Sequence, residues 1–286
     1  MPRRWIGAAL AVVAFLAVSC GVSGTSETGK SRPAAIVSLS PSITEMLFAV
    51  GAGDQVVAVD DRSNFPAQAP VTELSGYTPN VEAILGYEPD LVIISEDAGD
   101  LVAGLKNVGV PTLVLPAATT LDDTYDQIEQ IGATTWHTDE ATELVDSMQR
   151  DVENILAGLP DRDAPLTYYH ELDDTFYSVT DDTFIGHVYS MLGVTSIATG
   201  ADAYPQLSPE FILDSNPDLI FLADGQCCGV TPETVASRAG WGELTAVRAG
   251  RVHVLDENIA SRWGPRVVDL VRELGALVAA VPAPTS

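Results

Sequence analysis

The sequence predicts an α/β fold of two similar lobes with mostly parallel sheets, joined by one long rigid helix, with a ligand cleft between the lobes. Three observations carry this. Residues 80–94 (NVEAILGYEPDLVII) recur without a gap as residues 208–222 (SPEFILDSNPDLIFL), and a unit repeated once, far apart, marks duplicated lobes rather than a tandem solenoid. Each copy ends in a short continuous apolar run, as expected of a strand buried on both faces of a parallel sheet. Between the copies lies a single long amphipathic stretch.

Taken in order, the chain opens with Arg3 and Arg4 before an apolar run from Trp5 to Val18. That run is too short for a comfortable membrane span and suits a signal peptide. It ends in LAVSCG, which resembles a bacterial lipobox. Residues 1–19 are therefore expected to be a lipoprotein leader, with Cys20 lipidated as the new N-terminus. The alternative is an ordinary secreted protein cut nearby. Residues 20–33, rich in Ser, Thr and Gly, read as a flexible tether. Lipid on Cys20 would hold the protein at the outer face of the cell membrane.

The N-terminal lobe is expected over 34–137, with strands at Ile36–Leu39, Val56–Val59, Leu91–Ile94 and Thr112–Leu115. Ser40, Pro41 and Ser42 follow the first strand, and Ser42 with Glu45 has the spacing of a capping box. Amides there suit a ligand's polar edge, unless they only cap a helix. In the repeated unit Asn80 and Ser208 suit N-caps, Pro209 suits the first helical position, and Pro89 and Pro217 stop the helices.

The interlobe helix is predicted over 138–159. Ala141, Leu144, Val145, Met148, Val152, Ile155, Leu156 and Leu159 form one stripe at helical spacing. Thr138 suits its cap, Asp139 and Glu140 suit the positive end of its dipole, and Pro160 follows it. A rod of about 30 Å can cross between lobes and limits how far they close. The C-terminal lobe, 160–286, has predicted strands at Leu166–Tyr169, Phe176–Val179, Leu219–Leu222 and Val252–Leu255. It closes with an apolar helical face from Pro265 through Val267, Val268, Val271, Leu274, Leu277, Val278 and Val281.

Forty acidic against 14 basic side chains give a net charge of −26. That field argues against nucleic acid and anionic lipid surfaces as partners. Of the three cysteines, Cys227 and Cys228 are adjacent and follow the last apolar run of the repeat. A vicinal disulfide, thiols kept reduced by burial, and a soft-metal contact all remain open, because neighbouring Cα atoms about 3.8 Å apart are closer than disulfides prefer. The four histidines, His137, His170, His187 and His253, are scattered. No His-x-x-x-His or Cys-x-x-Cys array, Gly-x-Ser-x-Gly elbow or Ser-x-x-Lys occurs. His170 and Glu171 could imitate a catalytic pair, but nothing in the sequence orients them. A hydrolase is thus a remote alternative. So is a bare transition-metal carrier, which would need His170, His187, Asp60 and Asp61 drawn together.

The opening IVSLSPSITE at residues 36–45, Gly51-Ala52-Gly53, residues 80–94, the YPQLSPE segment at 204–210 and RWGPR at 262–266 together resemble class III, helical-backbone substrate-binding proteins of ABC importers. The chain is similar to the Fe/cobalamin periplasmic-binding type over about residues 34–280. The Ser-Pro-Ser-x-Thr-Glu start and the Tyr-Pro-Gln segment are most like the cobalamin-binding branch.

The resemblance implies capture of cobalamin, with a ferric siderophore or haem as the alternative. It also implies delivery to a permease dimer served by cytoplasmic ATPase subunits, and no chemistry or resident cofactor in this chain. Glu82 and Glu210, one per lobe, align with glutamates that dock on permease arginines. A repeated acid suits a partner with twofold symmetry, although each could simply complement a helix dipole. Tyr77 and Tyr204 precede the paired helices and would wall a flat macrocycle or else pack internally. Arg262 and Trp263 lie on the last loop. Arg262 would hydrogen-bond a ligand amide or carboxylate, or pair with an acid. Cys227 and Cys228 would add a polarisable surface, and they depart from the pattern of the cobalamin branch.

Overall fold

The computed structural model describes Met1 and residues 31–282. Residues 2–19 of the predicted leader, most of the predicted tether and Cys20, the predicted lipidation site, lie outside the described residues. Five parallel strands make the first sheet: β1 (Ile36–Ser38), β2 (Val56–Asp60), β3 (Val71–Leu74), β4 (Leu91–Ile94) and β5 (Thr112–Val114), in the order β3-β2-β1-β4-β5. The second sheet, also parallel, holds β6 (Leu166–Glu171), β7 (Val194–Ser196), β8 (Leu219–Leu222) and β9 (Val252–Val254), in the order β7-β6-β8-β9. The helices of the first half are α1 (Pro41–Ala49), α2 (Val81–Leu85), α3 (Leu101–Asn107), α4 (Leu121–Thr135) and α5 (Thr138–Ala157). Those of the second are α6 (Phe184–Met191), α7 (Pro209–Ser215), α8 (Gly225–Cys228), α9 (Pro232–Ser237), α10 (Thr245–Arg248), α11 (Glu257–Ala260) and α12 (Val267–Ala279).

The sequence repeat becomes a structural one. Asn80 and Ser208 cap α2 and α7 by accepting from the amides of Ala83 and Phe211, at 3.0 and 3.1 Å. Ile84 and Ile212 are the buried anchors of those helices. The repeated aspartates fix the strands. Asp90 accepts from the Ala34 and Ala35 amides at 2.8 and 3.1 Å, and Asp218 from the Thr167 amide at 2.9 Å. Each carboxylate thus pins the start of the neighbouring strand, β1 in one lobe and β6 in the other.

Side-chain alternation along the strands builds three cores. Leu91 and Ile93 of β4, and Leu219 and Phe221 of β8, face one cluster that also takes in α1, α4, α5 and α12. Val92 and Ile94 face a second cluster under α2 and α3. Ile220 and Leu222 face a third around Trp241. The first cluster draws on both sheets, so the lobes share one continuous core. Helix α5 runs through it with Ala141, Val145, Met148 and Val152 buried. Its start lies on α4, where a Cβ on Gly132 would overlap Ala141, and its end lies on α12, where a Cβ on Gly275 would come within 2.9 Å of Ile155.

Three expectations need correction. Phe176–Val179 is not a sheet strand: Phe176 takes a left-handed φ of 69°, and Tyr177 makes only an isolated antiparallel bridge to Gln206. The edge strands β3 and β7 stand in sheets where none was predicted; Thr72, Glu73 and Thr195 interrupt any apolar run there. Finally, His137 rather than Thr138 occupies the N-cap of α5, and no side chain caps it.

Candidate ligand-binding cleft

In doubly wound sheets the crevice lies beyond the carboxyl ends of the strands, where the strand order reverses. Here that point falls between β1 and β4 in one sheet and between β6 and β8 in the other. Both are occupied by cavity. A chamber of about 600 Å3 is lined by Leu39 and Ser40 after β1, Asp60 to Arg62 at the end of β2, Ser95 and Glu96 after β4, and Tyr77. A second, of about 390 Å3, is lined by His170 and Leu172 at the end of β6, Ala223 after β8, and Phe184 and Tyr204. Glu257, Ser261 and Trp263 line both chambers. They come from α11 and the loop that follows it.

Most of the predicted ligand contacts converge here. Ser40, Pro41, Ser42, Tyr77, Arg262 and Trp263 line the larger chamber, and Tyr204 and Trp263 the smaller. Tyr77 and Tyr204 are 77% and 51% exposed, so each lobe offers one open aromatic ring. Trp263 is held by its indole N–H, which donates to Gln127 Oε1 at 3.2 Å.

Other expectations change role. Ser42 and Glu45 do not form a capping box: the N-cap of α1 is Ser40, without a side-chain hydrogen bond. Ser42 Oγ instead accepts from the Trp263 amide at 3.2 Å, and Glu45 is turned toward two arginines. Arg262 is buried, and its terminal nitrogens are occupied. Nη1 donates to Glu45 Oε1 at 2.9 Å, and Nη2 donates to Arg62 O, Asn64 Oδ1 and Asn258 Oδ1 at 2.8 to 3.1 Å. Its fork clamps the lobes together rather than reaching for a ligand. Arg266 completes the clamp on the other edge of the Glu45 carboxylate.

Cys227 and Cys228 are joined as a vicinal disulfide. They are exposed on α8 and line neither chamber. Their link to the cleft is indirect: Glu257 accepts from the Cys227 amide at 2.7 Å. Glu82 and Glu210 sit at matching positions on α2 and α7, both exposed, and neither has an ion-pair partner among the described residues.

Asp60, Glu257 and His170 were not singled out as ligand contacts, yet all line the cleft. Each lies at or just beyond a strand's carboxyl end, the same signal that marks Ser40. Burial pushes the Asp60 carboxyl above its ordinary range, with the Ser63 hydroxyl partly offsetting it. His170 is wholly buried, which pushes its imidazole down to about 4 and keeps the ring neutral; Nδ1 lies 2.9 Å from the Tyr189 hydroxyl. Glu171 points to the opposite sheet face and binds Arg238 in a two-pronged pair at 2.6 Å. His170 and Glu171 therefore share no site. Among the described residues no cluster of His, Cys, Asp and Glu has metal-binding geometry.

A family model described as "Periplasmic binding protein" matches residues 36–259. The uncharacterized ABC transporter substrate-binding lipoprotein YvrC of Bacillus subtilis is 32% identical over 256 residues, 86% of this chain and 80% of the relative. A cobalamin-binding protein of Halobacterium salinarum is 30% identical over 259 residues, 86% of this chain and 70% of the relative. The crystal structure of the vitamin B12 binding protein BtuF of Vibrio cholerae superposes with a TM-score of 0.71 at 26% identity, covering 86% of this chain and 97% of that one. The heme binding protein HutB of the same organism superposes with a TM-score of 0.77 at 21% identity, covering 85% and 98%, a likeness of fold.

Proposed function

The chain belongs to the periplasmic binding protein family, and we propose from that premise that it captures a corrinoid between its lobes and delivers it to the permease of an ABC importer. The observation that supports this is the paired chamber at the two switch points, faced by Tyr77 from one lobe and Tyr204 from the other. Two open rings, with Trp263 lining both chambers, suit a broad, flat macrocycle, which buries apolar faces and presents polar groups at its edge. Relatives named for cobalamin or vitamin B12 support the choice of macrocycle.

Glu82 and Glu210 would dock on the permease. Equivalent positions, exposure and the lack of an ion-pair partner among the described residues leave both carboxylates free for a twofold-related pair of cations. Lipid on Cys20 would keep the protein near that permease at the outer membrane face, in keeping with a relative named as a lipoprotein. ATP hydrolysis would belong to the transporter's cytoplasmic subunits, and this chain would bind without reacting.

Isothermal titration calorimetry of the chain from Arg32 onward, against cyanocobalamin, haem and ferric siderophores, tests the ligand. Saturable one-to-one binding of cyanocobalamin alone is the expected result. Binding of haem or a siderophore instead would move the substrate to iron acquisition and leave the transport role in place.

A further inference from the structure

The exposed disulfide has a path into the cleft. Cys227 and Cys228 end α8, a helix of four residues. A single turn is too short to hold itself, and Asp224 at its N-cap makes no side-chain hydrogen bond to it. Glu257 supplies the cap from α11 instead. Its Oε1 accepts from the amides of both Gln226 and Cys227. The same Glu257 lines both chambers, so one side chain is shared between α8 and the wall of the cleft.

Joining neighbouring sulfurs closes a small ring through the Cys227–Cys228 peptide and fixes the torsions on either side of it. The Cys227 amide that donates to Glu257 is attached to that ring. Opening the ring frees those torsions and leaves the amide pair with no covalent support. The Cys227 Sγ, 3.6 Å from Asp224 O, then becomes a thiol that can donate to that oxygen, so the open form gains a contact of its own.

Both cysteines are exposed, and exposed disulfides are the labile, regulatory ones. A thiolate of an external dithiol attacks one sulfur, the sulfur–sulfur bond breaks, and the other cysteine leaves as a thiolate that takes up a proton. The second thiol of the reagent then resolves the mixed disulfide. Two electrons and two protons pass to the cysteines, and the dithiol ends as a disulfide.

We propose that Cys227–Cys228 is a site of thiol–disulfide exchange for dithiol reductants, and that its oxidised form holds Glu257 in place on the wall both chambers share. Reduction loosens α8, and Glu257 loses the two donors that orient it. A ligand must then order that side chain as it binds, so affinity falls. The proposal rests on capture in this cleft and not on which ligand is captured.

The test treats the full-length protein in detergent with dithiothreitol, removes the reagent under argon and compares the product with the untreated form. Free thiols should rise by two per chain. Hydrogen–deuterium exchange should quicken in residues 225–229 and also in 256–263, and reoxidation should reverse both. The calorimetric affinity for cyanocobalamin should fall on the order of 3–10-fold, the cost of ordering one side chain. Cys227→Ser with Cys228→Ser should match the reduced form and ignore dithiothreitol, and Glu257→Ala should leave residues 256–263 blind to redox state. No thiols released from the folded protein would overturn the exchange site. Faster exchange in α8 alone, or an affinity indifferent to redox state, would overturn the coupling. Should the oxidised protein bind no cyanocobalamin, the corrinoid reading falls, and the exchange pattern by itself decides the coupling.

Discussion

Glu45 on α1 holds Arg262, 217 residues further along the chain, by a buried 2.9 Å hydrogen bond, and the same carboxylate also takes Arg266. One anion thus joins the N-terminal lobe to the segment leading into α12. Truncating it would leave two guanidinium groups without their counter-charge, one of them buried, and breaking such a pair costs about 3–5 kcal/mol. Glu45→Ala should therefore lower the melting temperature by roughly 10 °C in a chain of this size, measured by calorimetry. A shift within the range of ordinary surface substitutions would mean that the clamp contributes little.

The sequence made much of this legible. Repetition, apolar runs and the long stripe placed both lobes and α5, because each rests on local periodicity that tertiary packing then uses. The rule that ligands meet strand ends points to the loops carrying Ser40, Tyr77, Tyr204 and Trp263, which line the two chambers. For Arg262 the sequence offers both a ligand contact and pairing with an acid; the structure shows the pairing, and no local pattern could name Glu45, 217 residues away, as the acid. Strands β3 and β7 sit at sheet edges and carry no continuous apolar run, so only pairing with a neighbour defines them.

The proposed docking role of the repeated glutamates separates cleanly from ligand capture. Glu82 and Glu210 are exposed and stand outside both chambers, so charge reversal at both should change stability by only about 0.5 kcal/mol. Glu82→Arg with Glu210→Arg is expected to abolish transporter-dependent uptake of radiolabelled ligand while the calorimetric affinity stays within a factor of two or so. Loss of affinity would contradict the assignment.

Asp224 supplies a pH dependence of stability. It is buried at the N-cap of α8, and neither carboxylate oxygen has a hydrogen-bond partner among the described residues. Burial first, and the neighbouring Glu171 carboxylate second, push its pKa up to about 7 from 3.8. A folded-state pKa above the unfolded value means that stability is fully present below about pH 4 and is lost as pH rises toward 7. Asp224→Asn removes this slope. Its advantage over the wild type should grow from pH 4 to 7, reach a few kcal/mol, and level off beyond. Urea titrations at a series of pH values would show it, and parallel stability curves for the two proteins would refute it.

The extent of closure is set by what crosses between the lobes. Helix α5 buries one stripe in a core that draws on both sheets. Glu45 clamps Arg262, Asn64 donates to Asn258 at 3.1 Å, and Ser42 takes the Trp263 amide. Opening the lobes would separate all of these at once, and packed cores resist continuous deformation. Ligand should therefore bring the lobes together by about 1 Å or less, as in preorganised complexes. Spin labels at Glu82→Cys and Glu210→Cys, one on each lobe and both exposed, measure this distance directly. A ligand-induced shift well beyond about 2 Å would show that α5 acts as a hinge rather than a strut.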